Sequence, residues 1–320
     1  MALTQLNPLA GDTDCVAAAV SGNGAVAVGQ SSYRAVSWTS GGSPVNLGLL
    51  TGGTYSAAVA ASYDGSIILV TADTTGGTNR AALWTAGSGL VSLGLPSGAT
   101  DATPLGISGD GRTVLLSCGL HVYVWTLAGG FMDLHPLTSN ALNCVLSYDG
   151  LTVAGLTMAG LGGDGPFFWT AAGGITWPAL PGGSTSYNVT ALSQDGSIAA
   201  GYIASGPFIW ARAGGISYMG NFPGTVYPTM LAGLSSTGTV AIAQGDFGGV
   251  AVSLTWTAAG GFVNLGLLPA GSWAVSLGVS SDGSTVVGQA DIAGGFCRGF
   301  TSAVAPTWFW VNKVDCEETQ

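Results

Sequence analysis

Seven copies of a Ser-x-Asp-Gly-like turn predict an all-β fold, a seven-bladed β-propeller of four-stranded antiparallel blades. Six Trp-marked strands that follow the turns, and short apolar runs bounded by Gly and Pro, support it. The turns are Ser21-Gly22-Asn23-Gly24, Ser62-Tyr63-Asp64-Gly65, Ser108-Gly109-Asp110-Gly111 and Ser147-Tyr148-Asp149-Gly150. Ser193-Gln194-Asp195-Gly196, Ser235-Ser236-Thr237-Gly238 and Ser280-Ser281-Asp282-Gly283 complete the set. From Ser21 to Ser280 the chain covers 259 residues in six intervals, a mean period of about 43, which suits a propeller blade.

Each unit reads as four strands. In unit two these are Ala57–Ser62, Ser66–Ala72, Arg80–Thr85 and Leu90–Leu95, separated by a Tyr-Asp-Gly turn, a Gly-rich loop and a Gly-Ser-Gly turn. Asp-Gly between apolar runs signals a hairpin, because Gly accepts positive φ. The runs are rich in Val, Ile, Ala and Thr and lack helical spacing. The recurrent Trp38, Trp84, Trp125, Trp169, Trp210 and Trp256 are expected to plug the space between blades. In unit seven Ser302 takes the Trp place, within Arg298-Gly-Phe-Thr-Ser302. The units run 15–56, 57–102, 103–141, 142–187, 188–228, 229–274 and 275–302, and residues 303–320 form a tail. Unit seven lacks a fourth strand, whereas Leu3–Gly11 matches the fourth strand Val263–Gly271. Residues 2–14 are therefore expected to complete the last blade and lock the ring, rather than Thr307–Val311.

The pattern resembles the HAF-type repeat, a family of extracellular β-propeller repeats in bacterial surface and secreted proteins. The resemblance spans about residues 3–302. It rests on Val28-Gly29, Val287-Gly288, Arg34-Ala35, Arg80-Ala81, Arg298-Gly299-Phe300, Trp256-Thr257 with Gly260-Gly261, and Leu265-Gly266 with Pro269. It implies display outside cells and carries no catalytic residues to transfer. The turn also resembles the Asp-box of sialidase-like propellers, Ser-x-Asp-x-Gly, but lacks the residue between Asp and Gly.

Composition excludes several classes. Only 7% of the 320 residues are charged, against about 25% in ordinary globular chains. At 47% hydrophobic residues the chain is too apolar for a disordered linker, and no run reaches the ~18 apolar residues of a membrane span. Six bases and a net charge of −10 leave no cluster to neutralise phosphates, so nucleic acid is not an expected partner. The start, Met1-Ala-Leu-Thr-Gln-Leu-Asn, shows no basic or apolar leader region, so no signal peptide is expected. Cys15, Cys118, Cys144, Cys297 and Cys316 lack CxxC spacing and read as small core residues. Gly160–Gly165 matches GxGxxG, but Pro166-Phe-Phe-Trp169 behind it reads as a strand, not a phosphate-binding helix. His121 and His135 have no Cys/His cluster around them, so no metal and no cofactor are expected. Both glutamates, Glu317 and Glu318, lie in the tail, and scattered arginines make a glycan-acting hydrolase only a minor alternative. No catalytic residue is assigned.

One face is a candidate for binding. The second-to-third and fourth-to-first connections share a side of the ring. Turn Gly to Trp spans 14 residues in units one, three and five, but 19, 19 and 18 in units two, four and six. Counted to Ser302, unit seven gives 19. Longer loops are therefore expected around Asp73–Asn79, Met158–Gly165, Asp246–Gly249 and Asp291–Gly295. Asp73, Asp101, Asp164, Asp246 and Asp291 are the binding-face candidates, with Asp12 and Asp14 on the same side. Trp308, Phe309 and Trp310 in the tail are candidates for docking on blade seven or on a neighbouring subunit. The expected function is a non-catalytic propeller at the surface of a phage or virus particle, as decoration, tail or receptor-binding component. Its expected partners are protein subunits of a larger assembly and a cell-surface glycan or receptor. The alternative is a secreted or surface-exposed bacterial adhesion propeller.

Overall fold

The computed structural model describes residues 3–39, 43–119, 121–134, 141–157, 165–176, 187–212, 215–225, 227 and 229–304. These form 28 strands in seven four-stranded antiparallel sheets, arranged as a β-propeller. Blade one comprises β2 (Cys15–Val20), β3 (Val26–Ser31), β4 (Arg34–Thr39) and β5 (Val45–Gly48). Blade two has β6 (Ser56–Ala61), β7 (Ile68–Asp73), β8 (Asn79–Thr85) and β9 (Gly89–Ser92); blade three has β10 (Thr103–Ile107), β11 (Thr113–Cys118), β12 (His121–Thr126) and β13 (Gly130–Asp133). In blade four these are β14 (Ala141–Leu146), β15 (Thr152–Thr157), β16 (Gly165–Thr170) and β17 (Gly174–Thr176). Blade five follows with β18 (Tyr187–Leu192), β19 (Ile198–Ile203), β20 (Gly206–Ala211) and β21 (Gly215–Tyr218). Blade six contains β22 (Met230–Leu234), β23 (Val240–Phe247), β24 (Val250–Thr257) and β25 (Gly261–Asn264). Blade seven joins β26 (Ala274–Val279), β27 (Thr285–Asp291) and β28 (Cys297–Ala303) to β1 (Thr4–Gln5).

The N-terminal strand thus closes the ring. Thr4 pairs with Thr301 and Gln5 with Phe300, and the Leu6 amide donates to the Gly299 carbonyl at 2.8 Å. The last blade receives its fourth strand, so its outer edge does not hang open. First strands of successive blades touch all the way round, β2 meeting β6 on one side and β26 on the other. Each carries a β-bulge against its second strand, as between Ala17 and Ala19 or Ser276 and Gly278, which increases local twist near the axis.

The core lies between blades, and the repeated Trp supplies it. Trp38, Trp84, Trp125, Trp169, Trp210 and Trp256 stand opposite Ala27, Ile68, Val114, Val153, Ala199 and Ala241 in the neighbouring strand. Each packs on the preceding blade. Trp125 meets Leu69 and Ala81 of blade two, and Trp169 meets Leu115 and Val124 of blade three. Trp210 stacks on Phe168 of blade four with centroids 4.5 Å apart. Trp38 joins Leu6 and Val287 of blade seven and donates from Nε1 to the Asn7 carbonyl at 2.8 Å. Trp38, Trp125 and Trp169 are buried, whereas Trp84, Trp210 and Trp256 are half-buried. Ser302 occupies the same register, opposite Val286, and is 1% exposed with no hydrogen-bond partner for its hydroxyl among the described residues. Strand β28 runs on through Ala303, and Val304 still packs in the blade-seven core.

Candidate functional site

The Ser-x-Asp-Gly turns build one face of the ring. In blade three, Ser108 Oγ donates to Asp110 at 2.6 Å and accepts the Thr113 amide, while Asp110 also accepts the Arg112 amide. The same pattern engages Asp64, Asp149, Asp195 and Asp282. These carboxylates hold hairpins in shape. Hydrogen bonds from Ser197 and Ser193 bring the Asp195 pKa down to about 2.

The turns also bond to one another. Asn23 donates from its amide to Tyr63, Tyr63 to Gly109, Gly109 to Tyr148, and Asp149 to Gln194. Gln194 donates to Ser236, Thr237 to Ser281, and Ser281 back to Gly22, so seven backbone bonds of 2.7–3.3 Å close a belt around the axis. The residue after each turn serine therefore rings the axis. Tyr148 fills that end: its hydroxyl is buried, and burial pushes its pKa up. Next to it lies an axial cavity of about 220 Å³, lined by residues such as Val20, Leu192, Leu234 and Val279.

The opposite face carries the loops singled out in the sequence. Asp73 is 8% exposed and accepts the Thr54 amide and the Tyr55 amide, both at 2.7 Å, and the Thr54 hydroxyl at 2.9 Å. Asp291 repeats this clamp on the Ser272 amide (2.6 Å), the Trp273 amide (2.8 Å) and the Ser272 hydroxyl (2.6 Å). The Tyr55 amide is the leading cause of a lowered Asp73 pKa; for Asp291, burial opposes the lowering but the Ser272 and Trp273 bonds outweigh it. Both residues tie the incoming loop to the second strand. Asp12 accepts from Ser31 Oγ at 2.6 Å, and Asp14 accepts the Cys297 amide at 2.7 Å across the closure seam. Asp101 is exposed between blades two and three. Asp164, Trp308, Phe309, Trp310, His135 and Cys316 lie outside the described residues.

Asp246 differs. By register Asp73, Asp246 and Asp291 hold one position, each five residues past the residue opposite the plug. In blade six the pairing of Leu231 with Ala243 brings Tyr227 to the register position of Thr54, and Tyr227 is 66% exposed. The incoming loop is closed instead by Asn221, whose Oδ1 accepts the Thr229 amide at 2.9 Å. Among the described residues the Asp246 carboxylate accepts only the Gly249 amide, at 2.8 Å. Beside it a cavity of about 550 Å³ opens between blades five and six, lined by Asp246, Asn188, Tyr202, Tyr227, Met230 and Gln244 over a floor that includes Ile203.

The insertion in unit six also takes a form the sequence reading did not expect. It lengthens the hairpin β23–β24 instead of enlarging a loop, with Phe247 paired to Val250 and only Gly248-Gly249 between them. Both glycines have positive φ, 62° and 90°, as a two-residue hairpin turn demands. Asp246 therefore stands on a rigid two-stranded arm. In blades two and seven the extra residues do form loops, 74–78 and 292–296.

Three cysteines belong to the core. Cys15, Cys118 and Cys144 are buried, and burial pushes the Cys144 thiol up to about 12 and, mainly, the Cys118 thiol to about 11. His121 Nδ1 lies 3.0 Å from Asp133 across β12 and β13. Gly165–Thr170 is a strand, so the GxGxxG match leads into no helix. Among the described residues no three His, Cys, Asp or Glu side chains gather to hold a metal ion. In comparisons with known proteins, no family model and no curated protein matches the chain.

Proposed function

We propose that the chain is a non-catalytic binding propeller displayed at the surface of a phage or virus particle, presenting its loop face to a partner outside. The observation that carries this reading is the asymmetry of the two faces. On one face a hydrogen-bonded belt and Tyr148 close the axis, while the other holds a concave site between blades five and six. The acids that a hydrolytic reading would use support it too, since Asp73, Asp291 and the turn aspartates are engaged in holding loops and turns. A low-charge, ring-closed scaffold with one open cavity suits recognition, because rigid elements position a site without ordering cost. The HAF-like repeats favour a second reading, a secreted or cell-surface bacterial adhesion propeller.

Mass spectrometry of gradient-purified particles tests the proposal, together with immunogold labelling by an antibody against the β23–β24 arm. The chain should co-purify at fixed stoichiometry and be labelled on intact particles. Its recovery only from the bacterial surface or medium would favour the second reading. Turnover on a glycan panel would overturn both.

A further inference from the structure

We infer that the cavity between blades five and six binds a neutral saccharide, with Asp246 as the central acceptor. This deepens the binding role proposed above and rests on it.

The argument starts from what the equivalent carboxylates do. Asp73 and Asp291 each take one O–H and two N–H donors from their own incoming loop. Asp246 holds the same register position, but among the described residues only the Gly249 amide donates to it. The Gly249 amide engages one oxygen, leaving acceptor capacity at the wall of a cavity. Adjacent hydroxyls of a sugar ring would offer a carboxylate the O–H donors that Thr54 and Ser272 offer elsewhere.

The rest of the lining selects among ligands. A hydroxyl both donates and accepts, and Asn188 sets an amide beside the carboxylate, while Gln244, also in the lining, donates from Nε2 to the Ser276 carbonyl at 3.4 Å. Asn188 Oδ1 already accepts from Asn143 at 2.9 Å, so its NH₂ is the group left to donate to a ligand. Tyr202 and Tyr227 offer flat apolar faces with polar tips, suited to stacking against the C–H face of a sugar ring. Met230, 47% exposed, completes an adaptable apolar wall. Among the described residues no Lys or Arg lines the cavity, so an anionic sugar would meet a carboxylate without a counter-charge. About 550 Å³ accommodates one or two sugar rings and far exceeds one ammonium group.

The test is an array of neutral, acidic and amino-sugar glycans with a lysine-rich peptide as control, followed by titration calorimetry on the retained glycan. Wild type should retain neutral glycans. Asp246→Ala and Tyr227→Ala should each weaken binding at least ~10-fold, the scale of a lost charge-assisted bond, with melting temperature nearly unchanged. Asp73→Ala should lower the melting temperature and leave affinity intact. Three results overturn the inference: no neutral glycan retained, preference for acidic glycans or the peptide, or binding indifferent to both cavity variants. If the protein then still labels whole cells, the binding role stands and only the saccharide site falls. If it labels no cell and retains no glycan, the binding role falls with it.

Discussion

Tyr148 of blade four lies across the propeller axis against Gly22 of blade one, where a Cβ would fall on the Tyr148 hydroxyl. The same Cβ would come within 2.6 Å of the Tyr63 ring and 2.7 Å of Ser281 Oγ. A residue without a side chain in one blade thus makes room for a large one three blades away.

Gly22→Ala should therefore destabilise the ring by about 1–3 kcal/mol, the usual range for overpacking. Tyr148→Ala in the same chain should return part of that loss, because the nearest of the three clash partners is gone while Tyr63 and Ser281 remain. A double-mutant cycle by urea denaturation measures the coupling. Additive effects would show that Tyr148 does not occupy the Gly22 site.

The Trp plugs should differ in weight. Trp169→Ala removes a buried side chain wedged against Leu115 and Val124 and should cost about 3–5 kcal/mol. Trp84→Ala, half-buried against blade one, should cost less. Ser302→Ala should raise stability by about 1 kcal/mol, since it removes a buried hydroxyl that has no partner among the described residues. Equal losses at Trp84 and Trp169 would refute the graded packing.

Blade number, plug register and closure were legible because each is repeated locally, so period and spacing reveal them. Ser302 could be placed at the Trp position from neighbouring residues alone, and its pairing with Val286 agrees. The axial seal was not legible. It depends on the variable residue of each turn and on blades one and four meeting across the axis, which no local pattern encodes. The candidate aspartates looked alike in sequence, yet Thr54-Tyr55 and Ser272-Trp273 clamp two of them, while among the described residues only the Gly249 amide donates to Asp246. That difference shows only in the folded hairpins. The unit-six arm did carry a signal, Gly248-Gly249 between two strand-forming residues.

Acid should loosen the turn face in a defined window. The folded pKa of Asp195 is about 2, set first by the Ser197 hydroxyl, then by its amide and Ser193. A depressed folded pKa contributes stability that is present above the unfolded value of about 4 and lost as pH falls toward the folded one. Asp64, Asp110 and Asp282 are lowered in the same direction. The melting temperature should thus fall between about pH 4 and pH 2. Asp195→Asn should keep the turn, as Asn23 does in blade one by accepting the Ser21 hydroxyl and the Ala25 amide. It should melt slightly lower at pH 7 and show a shallower acid slope. An unchanged slope would remove Asp195 from the acid response.

The ring seam gives the last prediction. Residues 4–5 pair with β28, Leu6 packs beside Trp38 and Val287, and the Asn7 carbonyl accepts the Trp38 indole. Asp12 holds Ser31 Oγ, which in turn accepts the Leu9 amide. Deleting residues 1–12 removes all of these at once, exposes the outer edge of β28 and uncovers one side of the Trp38 plug. An unpaired edge next to uncovered apolar surface favours pairing between molecules, so the truncated chain should melt at least several degrees lower and aggregate on heating. The same logic makes the loss reversible in trans. A synthetic peptide of residues 1–14 should restore the melting temperature, whereas one with Leu6→Asp should not, because a carboxylate cannot enter the pocket beside Trp38 without a partner. A truncated chain that melts like the intact one would mean that β1 does not lock the ring. A lowered melt that the peptide leaves unchanged would place the loss in the first blade's own folding instead of in the seam.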